Sequence, residues 1–150
     1  MTVEEKEILV KELCARMPYG LQVEHTSGFR GTLHNVMVYP LYDQNTEDTI
    51  KDYICRVDFF NDDDWVDVEF FKPYLFPLSS MTEKQKEEYY YIVNYLSVDD
   101  TDKWREGEFV YVNLPNQFEQ LIYFYYKNHL DYRGLINMGI ALDATGKNIY

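Results

Sequence analysis

The stretch Lys72–Thr82 divides the chain into two unlike halves. Pro73 and Pro77 bracket the apolar run Tyr74-Leu75-Phe76. Each proline removes a backbone donor and pushes the residue before it toward extended geometry, so no helix runs through this stretch. Upstream, over 21–71, apolar residues recur near every second position, as in strands. Downstream they recur at helical spacing. Thr82 and Gln85 have the spacing of a capping box. The stretch thus predicts a rigid packing joint, with Tyr74, Leu75, Phe76 and Leu78 between a sheet and the helix that follows.

The upstream half opens with a second capping-box pair, Thr2 and Glu5. Ile8, Leu9, Leu13 and Met17 form a stripe, with Cys14 near its edge. They predict a helix over 3–16, ended by Pro18 and Gly20. Strands are expected at Leu21–Glu24, at Gly31–Tyr39 with a bulge near His34-Asn35, at Ile50–Phe60 and at Trp65–Phe71. Pro40–Asp48 and Asn61–Asp64 read as a loop and a turn. After the joint, Tyr89, Ile92, Val93 and Leu96 predict a helix over 83–96, and Ser97–Gly107 reads as an exposed acidic loop. Phe109–Val112 reads as a short strand. Phe118, Leu121, Ile122 and Tyr125 predict a helix over 116–128. Leu130–Asn137 reads as a short helix ended by Gly139, and Ile140–Asp143 as strand-like. The fold class is α+β: a small antiparallel sheet or partial barrel, preceded by one helix and followed by two longer ones. It forms a single domain over 1–150, strand-rich over 21–71 and helix-rich over 82–137.

Composition narrows the functional classes. Twenty-six acidic residues against 14 basic ones give a formal charge of -12. That charge repels nucleic-acid phosphates and anionic lipid, so direct nucleic-acid binding is not expected. No stretch is long and apolar enough to suggest a membrane span, and the acidic N-terminus does not read as a signal peptide. Two cysteines, Cys14 and Cys55, make no disulfide framework and read as buried thiols in a cytoplasmic protein.

No motif for phosphate, dinucleotide, nucleophilic or zinc chemistry occurs. No catalytic residue, metal ligand or cofactor is expected. The carboxylates of Asp58–Glu69 and Asp99–Asp102 read as solvated turns, and His25, His34 and His129 have no metal-ligand spacing.

The unusual residue is tyrosine, with 15 copies beside 9 phenylalanines. An apolar ring with a polar tip suits half-buried positions and interfaces. Candidate contact residues are therefore Tyr74, Phe76, Tyr90, Tyr91, Tyr126 and Tyr132, together with Asp131 and Arg133. The last two are charged residues in an apolar segment. They would anchor a partner, or else cap a short helix and pair with a nearby acid, which is the favoured reading of the two.

Glu12–Gly20, Lys72–Thr82, His129–Ile136 and Leu142-Asp143-Ala144 together resemble an uncharacterised family of small proteins from gut anaerobes of the Bacteroides type and their phages or mobile elements. The resemblance implies a cytoplasmic accessory protein and brings no activity, ligand or catalytic residue with it. The expected function is a non-enzymatic accessory or protein-interaction domain, acting on a protein partner or by self-association. Two alternatives stand beside it: an acidic decoy that imitates nucleic acid, and an enzyme with a pocket at the seam between sheet and helices.

Overall fold

The computed structural model describes residues 1–42, 49–57, 65–104 and 113–150, with the backbone alone at 38–42, 49–53, 95–104 and 113–116. Helix α1 (Val3–Arg16) begins at the predicted cap. The Thr2 hydroxyl accepts from the Glu5 amide at 3.1 Å, and the Glu5 carboxylate accepts from the Thr2 amide at 2.7 Å. A single turn of tight helix, Met17–Tyr19, follows, and Gly20 closes it in the left-handed region at φ 72°. That conformation carries no steric cost for glycine.

Among the described residues six strands follow: β1 (Gln22–His25), β2 (Arg30–Tyr42), β3 (Thr49–Val57), β4 (Val66–Asp67), β5 (Phe71–Leu75) and β6 (Leu142–Asp143). They form an open sheet in the order β4-β3-β2-β1-β5-β6. All neighbours are antiparallel except β5 and β6. The register between β2 and β3 shifts between Leu33 and Asn35, where the sequence predicts a bulge.

Several expectations need correction. The predicted strand Trp65–Phe71 breaks after β4, because the Asp67 carboxylate accepts from the Glu69 amide at 2.9 Å and turns Val68–Phe70 into a short tight helix. Strand β5 begins at Phe71 and runs into the joint itself, carrying Pro73 opposite Val23. Pairing with β6 starts only at Tyr74, so β5 is uncovered on that side at Pro73, and an uncovered edge is where a strand tolerates proline. Strand β2 extends through Pro40 to Tyr42, into the predicted loop.

Helix α2 (Glu83–Trp104) continues through most of the predicted acidic loop Ser97–Gly107, and α3 (Asn113–Lys127) starts before the predicted Asn116. A proline in the first turn of α3 removes no helical hydrogen bond, so Pro115 does not block that earlier start. The predicted turn Asn61–Asp64 and strand Phe109–Val112 lie outside the described residues.

The expected helix at Leu130–Asn137 is a chain of turns instead. Gly134 stands at φ 78°. The Asp131 carboxylate takes the amides of Leu135 and Ile136 at 2.8 and 2.9 Å, where a helix would use backbone carbonyls.

The described residues form two apolar cores. The first packs Leu9, Val10 and Leu13 of α1 against Val23, Leu33, Cys55, Val57, Phe71 and Leu75 of the sheet. The second packs Ile92 of α2 with Phe124 and Tyr125 of α3 and with Leu130, and Phe76 and Met81 lie against it. Successive residues of the joint thus serve different cores, Leu75 the first and Phe76 the second, whereas Leu78, expected between sheet and helix, is exposed. The backbone of Phe76 also donates to the His129 carbonyl at 2.9 Å and accepts from the Asp131 amide at 2.8 Å. The stretch after α3 therefore docks on the end of β5.

Candidate functional site

Charged groups are buried where α1 meets the chain that follows α3. Glu12 and Arg16 lie one turn apart on α1, and each side chain is 1% exposed. An arginine on this face needs a full set of acceptors, since an unpaired buried charge is costly. Its guanidinium donates to the Glu12 carboxylate and, through Nη2, to the Leu130 carbonyl at 2.6 Å, while its buried Nε meets no acceptor among the described residues. The other Glu12 oxygen faces Arg133 Nε at 2.7 Å and Tyr132 Oη at 3.4 Å. Arg133 Nε also donates to Tyr132 Oη at 2.9 Å. Tyr132 stacks on Tyr125 with ring centroids 4.8 Å apart, and its hydroxyl meets that of Tyr126 at 3.1 Å. Burial, with the Tyr126 hydroxyl and the Glu12 charge beside it, pushes the Tyr132 phenol up from its ordinary value.

His129 closes the cluster from the other side. It adopts φ 51°, the left-handed conformation that few residues other than glycine take. Its Nε2 lies 3.1 Å from the Tyr19 carbonyl, and a carbonyl only accepts, so the proton sits on Nε2. Nδ1 is then a bare acceptor, and among the described residues it meets no hydrogen-bond partner. The ring stacks on Tyr150 at 4.2 Å. Burial, and then the nearby Arg16 charge, depress its pKa to about 4, against the Tyr19 hydrogen bond.

A second polar cluster sits on the sheet. The Tyr74 hydroxyl donates to the Glu24 carboxylate, which also accepts from Arg30 Nε at 2.7 Å. Arg30 and Lys147 approach the Tyr74 ring at 5.2 and 5.1 Å. Burial and the Glu24 carboxylate push the Tyr74 phenol up to about 12. Beside it, Glu24, His25, Thr26, Gly28, Lys72 and Leu142 line a cleft of about 280 Å³.

A third feature is apolar. Tyr19, from the turn after α1, and Phe118, Ile122, Tyr123 and Tyr126 of α3 line a groove of about 280 Å³, with Glu119 alongside. Phe118 is 64% and Tyr123 48% exposed. Residues one turn apart share a helix face, so Phe118, Ile122 and Tyr126 form one stripe. Tyr19 and Tyr123 meet edge to face, with centroids 5.8 Å apart and planes at 83°.

The sequence candidates divide between these places. Tyr126, Tyr132 and Arg133 meet at the Glu12–Arg16 pair, and Tyr126 reaches from there into the groove. Asp131 is buried and ties the turn after it. Tyr74 is 1% exposed and Phe76 packs on the second core, so neither presents an open ring to a partner. Tyr90 and Tyr91 are exposed on α2 and are not among the residues that line the groove. Cys14 is exposed rather than buried, while Cys55 is buried as expected.

Sequence reasoning missed Glu12, Arg16, Tyr19 and Phe118 as site residues. The signal for the first pair was a Glu four residues before an Arg, beside the Leu9–Leu13 stripe. Phe118 belongs to the same apolar stripe as Leu121, Ile122 and Tyr125, and the spacing does not tell its exposed members from its buried ones. Among the described residues, no group of three or more His, Cys, Asp or Glu is placed to hold a metal ion. No described helix is long and apolar enough to cross a membrane. No family model, curated protein or solved structure matches this chain.

Proposed function

We propose that this protein is a non-enzymatic interaction module whose contact surface is the aromatic groove between α3 and the turn after α1. The observation that carries this reading is the exposure of Phe118 and Tyr123 on a groove lined by further apolar side chains. Exposed apolar patches with polar rims mark association sites, and aromatic residues dominate their energetics. The charged groups at the seam behave differently. Glu12, Arg16, Arg133 and Tyr132 engage one another, which suits them to holding the groove in place rather than to reacting with a substrate.

The partner is a protein. A net charge of -12 disfavours nucleic acid and anionic membrane as ligands. A cytoplasmic setting fits the two free thiols, Cys14 and Cys55.

The test is affinity capture from host lysate, comparing the wild-type protein with a Phe118→Ser/Tyr123→Ser variant, with proteins identified by mass spectrometry. Thermal melting first establishes that the variant folds. The expected result is a protein enriched by the wild type and lost with the variant. Identical recoveries from the two would reject the groove as the contact surface.

A further inference from the structure

Resting on that interaction reading, we infer that the groove receives a cationic side chain, an arginine or a lysine, from a basic segment of the protein partner. The faces of aromatic rings carry negative potential and attract cations, best where several rings converge and a carboxylate stands near. Here Tyr19 and Tyr123 stand at 83° to each other, as two walls of a corner. Phe118 and Tyr126 extend the lining, and Glu119 is the one acidic residue of that lining.

The chain's own cations already use these walls. The Arg16 guanidinium lies 4.9 Å from the Tyr126 ring centroid, and the Lys127 ammonium 5.7 Å from that of Tyr123. Arg16 reaches its ring from the buried side and is paired with Glu12. Lys127 lies on α3 near the groove and competes there with an incoming cation. The net charge of -12 adds a long-range term, since it steers basic partners toward the molecule and repels acidic ones. A purely apolar knob would use the rings and gain nothing from Glu119 or from the net charge.

The test titrates the full chain with a short acetylated alanine peptide carrying two arginines, and with the same peptide carrying glutamines instead. Binding is read from the ring-proton shifts of Tyr19, Phe118 and Tyr123. The inference expects saturable shifts with the arginine peptide and none with the glutamine peptide. Tyr123→Leu keeps apolar bulk but removes a ring face, and should weaken binding about two- to five-fold, the scale of one exposed cation–π contact. Glu119→Gln should weaken it, and Lys127→Gln should strengthen it. Glu83→Gln, on exposed α2 surface, should leave it unchanged.

Equal binding of the two peptides would overturn the cation assignment while leaving an apolar contact surface standing. Loss of affinity on Glu83→Gln as large as on Glu119→Gln would overturn it as diffuse charge attraction. Absence of binding by either peptide would also overturn it, and the affinity capture then decides the interaction reading on its own.

Discussion

Arg16 donates to the backbone carbonyl of Leu130 at 2.6 Å, across 114 residues of sequence. That bond joins the last turn of α1, which serves the sheet core, to the residue that completes the core of the helical pair. The same guanidinium lies 4.9 Å from the centroid of the Tyr126 ring, which lines the groove. The groove is therefore built across both halves of the molecule, and its shape depends on the charge pair beneath it.

Glu12→Gln should leave Arg16 charged, buried and short of an anion. Breaking one partner of a buried pair costs about 3–5 kcal/mol. The expected outcome is a lower midpoint of urea unfolding at unchanged slope. Replacing both partners by Glu12→Leu and Arg16→Met should cost less than the sum of the two single changes, because no buried charge is then stranded. Strict additivity of the two would show that they do not act as a pair.

Asp131 is the second buried acid with a defined task. Its two oxygens accept from Leu135 and Ile136 and shape the turn that places Tyr132 and Arg133 beside Glu12. Hydrogen bonds to a charged group are worth about 1.5–3 kcal/mol each. Asp131→Ala should therefore destabilise by at least about 2 kcal/mol, and Asp131→Asn, which keeps one acceptor, by less. A denaturation series that ranks Asn with Ala would show that the two amides do not share the carboxylate.

The ends of α1 were legible because they depend on local chemistry, a threonine three residues before a glutamate and a proline and a glycine after the last turn, and the bulge in β2 was legible from its broken alternation. The joint at Lys72–Thr82 was legible as a place where two patterns meet. That Leu75 and Phe76 would face different cores was not, because it follows from pairing with β1, β6 and Leu130, far away in sequence. The helix expected at Leu130–Asn137 failed for a related reason. Its apolar spacing is real, but one carboxylate captures two amides that a helix would have used. The groove was hidden because Phe118 fits the same stripe as Leu121 and Ile122. Only the packing of the neighbouring chain decides which members of a stripe stay exposed.

His129 gives the fold a dependence on acid. Its pKa falls to about 4 in the folded protein, from an ordinary 6.5, because the ring is buried and faces Arg16. Between those values the unfolded chain binds a proton that the folded chain does not, so stability falls as pH drops from 6.5 toward 4 and this contribution levels off below. The loss amounts to about 3 kcal/mol at most. His129→Asn removes the titration, and asparagine tolerates the left-handed backbone. Its unfolding free energy should vary less than that of the wild type across this range. An equal slope in both proteins would assign the acid sensitivity to other groups.

The two cysteines report on the fold separately. Cys14 is exposed on α1, with its thiol raised by partial burial, whereas Cys55 is buried in the sheet core, and burial with the Asp67 charge pushes its thiol up to about 12. The thiolate is the reactive form, so Cys55 is shielded both by access and by protonation. A chromogenic disulfide reagent at pH 8 should therefore label a single thiol quickly in the native protein and the second slowly. The slow reaction requires opening of β3, and its rate follows the population of the open form when opening is fast relative to labelling. Glu12→Gln, which destabilises the fold through α1, should then accelerate labelling of Cys55 and leave that of Cys14 nearly unchanged. If Cys55 in the wild-type protein reacts as fast as Cys14, the packing of β3 into the first core is wrong. If it stays slow and unmoved by Glu12→Gln, the sheet opens independently of the charge pair that ties it to the helices.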